Sequence, residues 1–247
     1  MKKTLFLLFF MGMHLYALVS VKPVEINDTE GLDLKALLSL ETKYGNSDKQ
    51  NYSGALRLTY HTLQSASWAE VSTEYGKSND TKDTDKAFLH LRHIHASILE
   101  DLNYELFGQV QDDSFKLLKN RTLLGGGFRY KLFTLYGEDK GFFGLGLMDE
   151  RISYTSDDPS EVNQRVNSYL AYTSKLSETS RLSLSFYYQP KINDFSDHVT
   201  ATNFELELSM YGDLSLMLQV SYDTDSNPPL GIKRYDLTQK TSFLYKF

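Results

Sequence analysis

The chain has 247 residues, enough for one large domain or two small ones. It contains no cysteine, which excludes disulfides, Cys-ligated metals and thiol nucleophiles. The formal net charge of -6 and the lack of a basic run argue against a nucleic-acid partner. The mean hydropathy of -0.38 is low for a helical membrane protein. It is compatible with a membrane β-barrel, in which half of the side chains of each strand face a polar interior.

The N-terminus has the order of a secretory signal. The basic start Met1-Lys2-Lys3 precedes a nearly continuous apolar run over residues 4–19, and the small residues Ala17 and Ser20 follow as cleavage positions. A membrane-anchor helix is the alternative, but the run falls short of the ~20 residues needed to span a bilayer. The sequence therefore predicts a signal peptide over residues 1–20 and a mature domain over residues 21–247.

After about residue 32 the apolar positions alternate with polar ones, which is the period of a β-strand. Turn signals divide this part into about 12 segments, each long enough for a tilted membrane strand of ~9–11 residues. The predicted strands are 33–44, 51–63, 67–77, 85–97, 102–112, 121–135, 141–154, 163–175, 181–192, 198–210, 213–224 and 233–247. We expect short turns on one side, and longer connections such as residues 78–84 and 225–231 on the other.

The fourth predicted strand carries three of the six histidines. His95 and Ser97 lie two residues apart and resemble the His-x-Ser arrangement of the outer-membrane phospholipase, in which a histidine activates a serine nucleophile. The Asn-Gly that follows the serine in that family is replaced here by Ile98-Leu99. A polar patch near a strand end is the alternative interpretation. A metal site that uses His90, His93 and His95 is a weaker hypothesis, because His90 has the opposite parity to the other two.

The last predicted strand, 233–247, has one apolar face and one charged face. Tyr235, Leu237 and Phe243 share one parity with Tyr245 and the terminal Phe247, whereas charged and hydroxyl side chains share the other. A soluble β-sandwich also alternates, but the signal sequence, the long strands and the terminal aromatic residue favour a barrel in lipid. We therefore predict an all-β protein, a transmembrane antiparallel up-and-down β-barrel of about 12 strands. Tyr245 and Phe247 are its expected assembly signal.

Parity then assigns charged residues of both signs to the barrel interior. This interior is either a network of paired charges that fills a narrow barrel or a small hydrophilic pore. A lining with charges of one sign would have indicated an ion-selective channel, but this lining has both signs. The predicted lumen charge network consists of Arg57, Glu70, Glu74, Glu105, Arg129, Arg181, Glu205, Glu207, Arg234, Asp236 and Lys240.

Several short motifs resemble a family of salt-induced outer-membrane proteins whose domain has no known function. They are Gly45-Asn46-Ser47-Asp48, Gly125-Gly126-Gly127-Phe128-Arg129-Tyr130, Gly144-Leu145-Gly146, Asn227-Pro228-Pro229-Leu230-Gly231 and the C-terminal residues 242–247. The resemblance spans most of the mature chain and implies an outer-membrane barrel without an established activity, so no catalytic residue is carried over. The glycines mark bends or leave room for bulky lumen neighbours.

The expected location is the outer membrane of a Gram-negative bacterium, and the expected role is structural or related to envelope stress, with a narrow passive pore as a further hypothesis. The expected partners are outer-membrane lipid, the β-barrel assembly machinery and periplasmic chaperones. We expect a monomer without a cofactor or a metal. A membrane-embedded, phospholipase-like hydrolase that uses His95 and Ser97 is the alternative function.

Overall fold

A computed structural model describes residues 26, 30–43, 48–136, 139–156 and 158–247. The predicted signal peptide lies outside the described residues. Twelve strands make up nearly all of the described chain, and they are β1 (Gly31–Lys43), β2 (Lys49–His61), β3 (Ser65–Ser78), β4 (Thr81–Ala96), β5 (Leu102–Asp113), β6 (Leu118–Leu135), β7 (Asp139–Tyr154), β8 (Glu161–Ser177), β9 (Ser180–Lys191), β10 (Asp194–Tyr211), β11 (Leu214–Asp225) and β12 (Tyr235–Lys246).

Each strand pairs antiparallel with the next, and β12 pairs with β1 to close the barrel. The prediction of an up-and-down barrel of about 12 strands is confirmed. We call the edge that holds Gly31 and Phe247 the terminal rim, and the opposite edge the loop rim. A single 3₁₀ turn, Ser114–Lys116, lies between β5 and β6 at the loop rim. No helix among the described residues is long and apolar enough to cross a membrane.

The burial of side chains is inverted relative to a water-soluble protein. Leu38, Leu106 and Leu124 are 67%, 63% and 68% exposed on the outer wall, whereas Glu150 and Arg129 inside the barrel are 0% and 1% exposed. The same alternation holds along β12, where Tyr235, Leu237, Phe243 and Tyr245 face outward. An apolar outer wall around a polar interior is the arrangement of a barrel that spans lipid.

The connections between the strands agree only in part with the expected pattern of short turns at one rim and longer connections at the other. Residues 78–84 were expected to form a longer outer connection, but Ser78 and Thr81 already pair, and a two-residue turn joins β3 to β4. Its residues Asn79 and Asp80 both have positive φ, 48° and 61°. Two successive positive φ angles give a turn whose twist matches that of the flanking strands, and Asn and Asp tolerate this conformation. The connection 226–234 at the same rim is long, as expected.

The barrel closes through a short seam. β1 and β12 align only from Lys35 with Lys246 to Leu38 with Phe243, whereas β1 and β2 align along their whole length. The terminal residue extends the seam, because the backbone N–H of Phe247 donates to the carbonyl of Leu34 at 2.9 Å. Its ring also meets Tyr245 edge-on at 4.7 Å. The two residues of the predicted assembly signal therefore lie beside the seam that closes the barrel.

Deletion of Phe247 should reduce assembly because it removes the last hydrogen bond of this seam and the outward aromatic ring. We expect a lower fraction of folded barrel in the membrane, measured as the band that migrates differently when the sample is not boiled. Phe247→Tyr keeps the backbone and an aromatic ring, and it should assemble like the parent chain. Normal assembly of the truncated chain would show that Phe247 is dispensable.

Candidate functional site: the barrel lumen

One side of the lumen, next to β3–β10, is filled by large side chains. Two buried hydrophobic clusters occupy it, and they consist of Phe142, Tyr169, Ala171, Tyr187, Val199 and Ala201 in one case and Trp68, Ile94, Phe107, Leu123 and Met148 in the other. Ile26, the first described residue, packs against the second cluster. We call Trp68, Phe107, Phe142, Tyr169 and Tyr187 the aromatic plug. It leaves little space for a solute on this side of the barrel.

Two arginines and one glutamate are embedded in the aromatic plug. The Glu105 carboxylate lies 3.7 Å from Nη1 of Arg92 and 3.4 Å from Nε of Arg129, and it accepts a 2.6 Å hydrogen bond from the Tyr169 hydroxyl. The Arg92 guanidinium lies 5.2 Å from the Phe107 ring centre, and that of Arg129 lies 4.8 Å from Phe142. Aromatic faces stabilise a nearby cation. The two buried arginines are therefore stabilised by the Glu105 carboxylate and by the aromatic rings.

A second group of charges, the loop-rim network, lies inside the barrel where β6 to β10 approach the loop rim. Glu150 is its centre. The carboxylate accepts hydrogen bonds from Arg121 Nε at 2.7 Å and from Arg165 Nε at 2.6 Å. Arg165 continues to Asp197 at 3.0 Å, and Asp197 also pairs with Lys191 at 2.7 Å. Bonds between ionised partners are stronger than neutral ones, so this network ties five strands together.

The other side of the lumen, between β1–β5 and β10–β12, contains a polar cavity of about 270 Å³. A single buried water needs about 10–15 Å³ of such space, so the cavity is large enough for many waters and small solutes. Its wall extends from Leu244, close to the C-terminus at the terminal rim, to Lys116 at the loop rim. The cavity therefore follows the barrel axis beside the aromatic plug.

Ion pairs line this cavity. Arg57 Nε donates to Glu70 at 2.6 Å, and Lys240 Nζ donates to Glu74 at 2.8 Å. Further polar contacts join Lys86 to Asp113, Gln219 to Glu205 and Lys246 to Glu207. Both signs of charge alternate around the wall, so the cavity has no single sign of potential that would select one class of ion strongly.

Lys116 reaches this cavity from a connection rather than from a strand. The 3₁₀ turn that carries it is capped by the Asp113 carboxylate, which accepts from the Phe115 N–H at 3.1 Å. Leu117 then turns the chain back in the left-handed conformation, with φ of 61°. Burial lowers the pKa of Lys116 to about 8, while the carboxylates of Asp223, Asp113 and Asp236 act in the opposite direction. Above that pH the cavity loses one positive charge.

The structure places the predicted lumen residues in three locations. Glu105 and Arg129 belong to the aromatic plug, and Arg181 and Arg234 are exposed at the barrel ends. Arg181 lies at the terminal end of β9, and Arg234 precedes β12 at the loop rim. The remaining residues lie on the cavity side, and they are Arg57, Glu70, Glu74, Glu205, Glu207, Asp236 and Lys240.

The predicted set lacks four residues at the centre of the loop-rim network, namely Arg121, Glu150, Arg165 and Asp197. The sequence carried a usable signal for Glu150. It continues the even-numbered parity of Gly144 and Met148, but the neighbouring charges Asp149 and Arg151 obscured that parity. Arg121 and Arg165 lie near strand ends, where the choice between rim and lumen depends on strand bounds.

The histidines of β4 do not form the predicted catalytic pair. His93 and His95 face the outer wall, and β4 ends at Ala96, so Ser97 lies in the following turn. The Ser97 hydroxyl accepts from the Leu99 N–H at 3.1 Å, which is a local turn bond. Across the strands described, His95 and Ser97 share no hydrogen bond, and His95 stacks against His93 at 6.0 Å instead. The geometry gives the hydrolase hypothesis no support.

His90 lies inside the barrel, where Nδ1 is 3.1 Å from Gln109 Oε1, so the three histidines do not converge. Among the residues that the structure describes, no group of three or more His, Cys, Asp or Glu side chains is arranged to hold a metal ion.

The fold and the lumen define the class of this protein. It is a transmembrane-type 12-stranded β-barrel with a charged interior. The chain belongs to the family described as "Protein of unknown function, DUF481", whose model matches residues 36–247. That description does not include the salt-induced name, which stays a prediction. No curated protein matches the sequence.

Solved structures of similar fold include a bacterial outer-membrane channel, a porin and an autotransporter domain. An outer membrane channel from Pseudomonas putida F1 is 11% identical, covers 92% of this chain and 97% of its own, and has a TM-score of 0.54. The NanC porin is 11% identical over 87% of this chain and 98% of its own, with a TM-score of 0.49. The translocator domain of the autotransporter NalP from Neisseria meningitidis is 10% identical over 87% of each chain, with a TM-score of 0.48. At such identities the likeness shows the fold alone.

Proposed function

We propose that this protein is a narrow passive pore in the outer membrane of a Gram-negative bacterium. The polar cavity carries the proposal, because its lining extends from Leu244 near one rim to Lys116 at the other. A barrel whose interior served only as a structural support would gain stability from filling this space, as the aromatic plug does on the opposite side. The fold shared with the Pseudomonas putida channel is compatible with this function.

The expected solutes are small and hydrophilic. The aromatic plug narrows the lumen to one side, which excludes large solutes, and the paired charges along the cavity stabilise water and ions without a strong preference for either sign. Lys116 lies at the end of the cavity nearest the loop rim. The expected outcome is a low conductance with weak selectivity.

The proposed location places the apolar outer wall in outer-membrane lipid and the terminal rim in the periplasm, since an even number of strands puts both termini on one side. Delivery would use the predicted signal peptide, periplasmic chaperones and the β-barrel assembly machinery, with the protein acting as a monomer. The role in envelope structure or stress stays a prediction, because none of the lumen features bears on it.

Single-channel recording in planar bilayers tests the pore directly. The refolded protein should give small, discrete current steps. Ser72 lines the cavity and Thr73, its neighbour on β3, faces outward. Ser72→Trp should abolish most of the current by filling the cavity, whereas Thr73→Trp adds the same bulk outside and should conduct like the parent. Absence of channel events from folded parent protein at any voltage would refute the pore.

A further inference from the structure

The outer wall carries a groove at β2–β6 that the lumen does not explain. It is shallow and open to the outside, and the space over it amounts to about 730 Å³. Its sides are formed by leucines from four strands, namely Leu58, Leu91, Leu106 and Leu124. Ala69 and Gly108 have the same outward parity and form its floor. The groove is a depression bordered by these leucines.

Gly108 shows that this depression is not required by the packing of the barrel. A Cβ added at Gly108 would meet no atom closer than 3.9 Å, whereas at Gly125 it would lie 2.4 Å from the Phe107 ring. Glycine weakens a strand interior unless something approaches the backbone closely. At Gly125 the approaching group is a side chain of the protein. At Gly108 the space is open toward the outside.

The end of the groove nearest the terminal rim is polar. The Ser67 hydroxyl and His93 Nδ1 lie 2.8 Å apart across β3 and β4, and Tyr60 lies beside them on β2. His95 stacks on His93 one step closer to the rim. Hydroxyl and imidazole donors bind phosphate and ester oxygens, and a tyrosine with an apolar body and a polar tip suits the boundary between lipid and water. The groove thus has an apolar part within the hydrocarbon and a polar part at its edge.

We propose that this groove, which we call the lipid groove, holds one acyl chain of a phospholipid from the leaflet at the terminal rim. The chain lies over Ala69 and Gly108 between the leucines. The phosphate or ester oxygens lie against Ser67, His93 and His95. The wall faces hydrocarbon, so an acyl chain is the molecule of matching chemistry that surrounds it. This inference does not depend on whether the lumen conducts.

The single tryptophan of the chain provides a probe, because Trp68 precedes Ala69 in the groove floor and its ring lies directly behind that floor, on the lumen side of the wall. The full-length protein is reconstituted in vesicles of phosphatidylcholine with brominated acyl chains, and Trp68 fluorescence is compared with that in vesicles of the unbrominated lipid. A chain seated in the groove should quench the parent strongly. Gly108→Leu fills the groove without a backbone clash and should clearly reduce the quenching. The matched control is Gly54→Leu, which adds the same side chain at another open, outward-facing glycine away from the groove.

Native mass spectrometry of detergent-purified protein supplies the second measurement. The parent and Gly54→Leu should retain one phosphatidylethanolamine molecule added during purification, and Gly108→Leu should lose it. Ser67→Ala with His93→Ala should weaken retention while leaving the heat-modifiable barrel band intact. Equal quenching and equal lipid retention in the parent and in folded Gly108→Leu would overturn the proposal.

Discussion

A barrel that carries Glu150→Leu should lose about 3–5 kcal/mol of unfolding free energy, because it leaves Arg121 and Arg165 buried without the carboxylate they share. Glu150 is fully buried, so water cannot replace the lost partner. Arg165 keeps its contacts with Asp197 and with the Gln189 carbonyl, but Arg121 loses the carboxylate to which it donates. The unfolding free energy is measured by denaturant titration of the folded protein in lipid vesicles, with Trp68 fluorescence as the signal.

Two further variants separate charge from shape. Glu150→Gln keeps the size and one acceptor oxygen but removes the charge, so its loss should be smaller than that of the leucine variant and still well above zero. Glu178 pairs with Lys175 at 2.9 Å, but its side chain is 89% exposed. Glu178→Gln should change the unfolding free energy by only about 0–1 kcal/mol, because water screens an exposed pair. Equal effects at Glu150 and Glu178 would contradict a structural role for the loop-rim network.

The two-residue period predicted most of the fold because the lipid-facing wall must be apolar and continuous. In β12 it placed Tyr235, Leu237, Phe243 and Tyr245 on the outer wall, although the polar residues Gln239 and Thr241 share that face. The period gives the face of a residue but not its height along the barrel. Arg181 and Arg234 have lumen parity and nevertheless lie at the rims, where their side chains are exposed.

Parity also does not predict which side chains contact one another inside the lumen. The register between strands decides which charges meet, and Glu105 contacts Tyr169 from a strand 64 residues further along the chain. The division of the lumen into an aromatic plug and a polar cavity depends on the three-dimensional packing of rings from β3, β5, β7, β8 and β9. The alternation itself is the same on both sides of the barrel.

The glycines of β6 and β7 show how this packing is accommodated. The sequence analysis considered two roles for these glycines, namely bends in the strand and space for bulky side chains in the lumen. At Gly144 the second role is visible, because an added Cβ would lie 2.0 Å from the Tyr169 ring. At Gly127 and Gly146 an added Cβ would instead lie 2.3 Å from a backbone oxygen of the neighbouring strand. Side chains at these positions require the backbone itself to move.

Gly144→Ala should therefore destabilise the barrel by about 1–3 kcal/mol or prevent its assembly, since extra volume in a packed interior forces neighbours out of place. Tyr169 cannot yield easily, because its ring is 2% exposed and its hydroxyl is bonded to Glu105. Gly54→Ala is the matched control. Its added Cβ meets nothing closer than 3.7 Å, so it should be neutral or slightly stabilising, as alanine orders more readily than glycine.

A double-mutant cycle identifies the ring as the cause. Tyr169→Leu alone should destabilise the barrel, because it opens space in the aromatic plug and removes a hydrogen bond from Glu105. In the presence of Tyr169→Leu, Gly144→Ala should cost far less than it does in the parent, since the atoms that it displaces are gone. The expected coupling lies within the range of about 0.5–3 kcal/mol found for residues in contact. If the two effects simply add, the space at Gly144 serves the backbone of β7 rather than Tyr169, and the glycine is a bend.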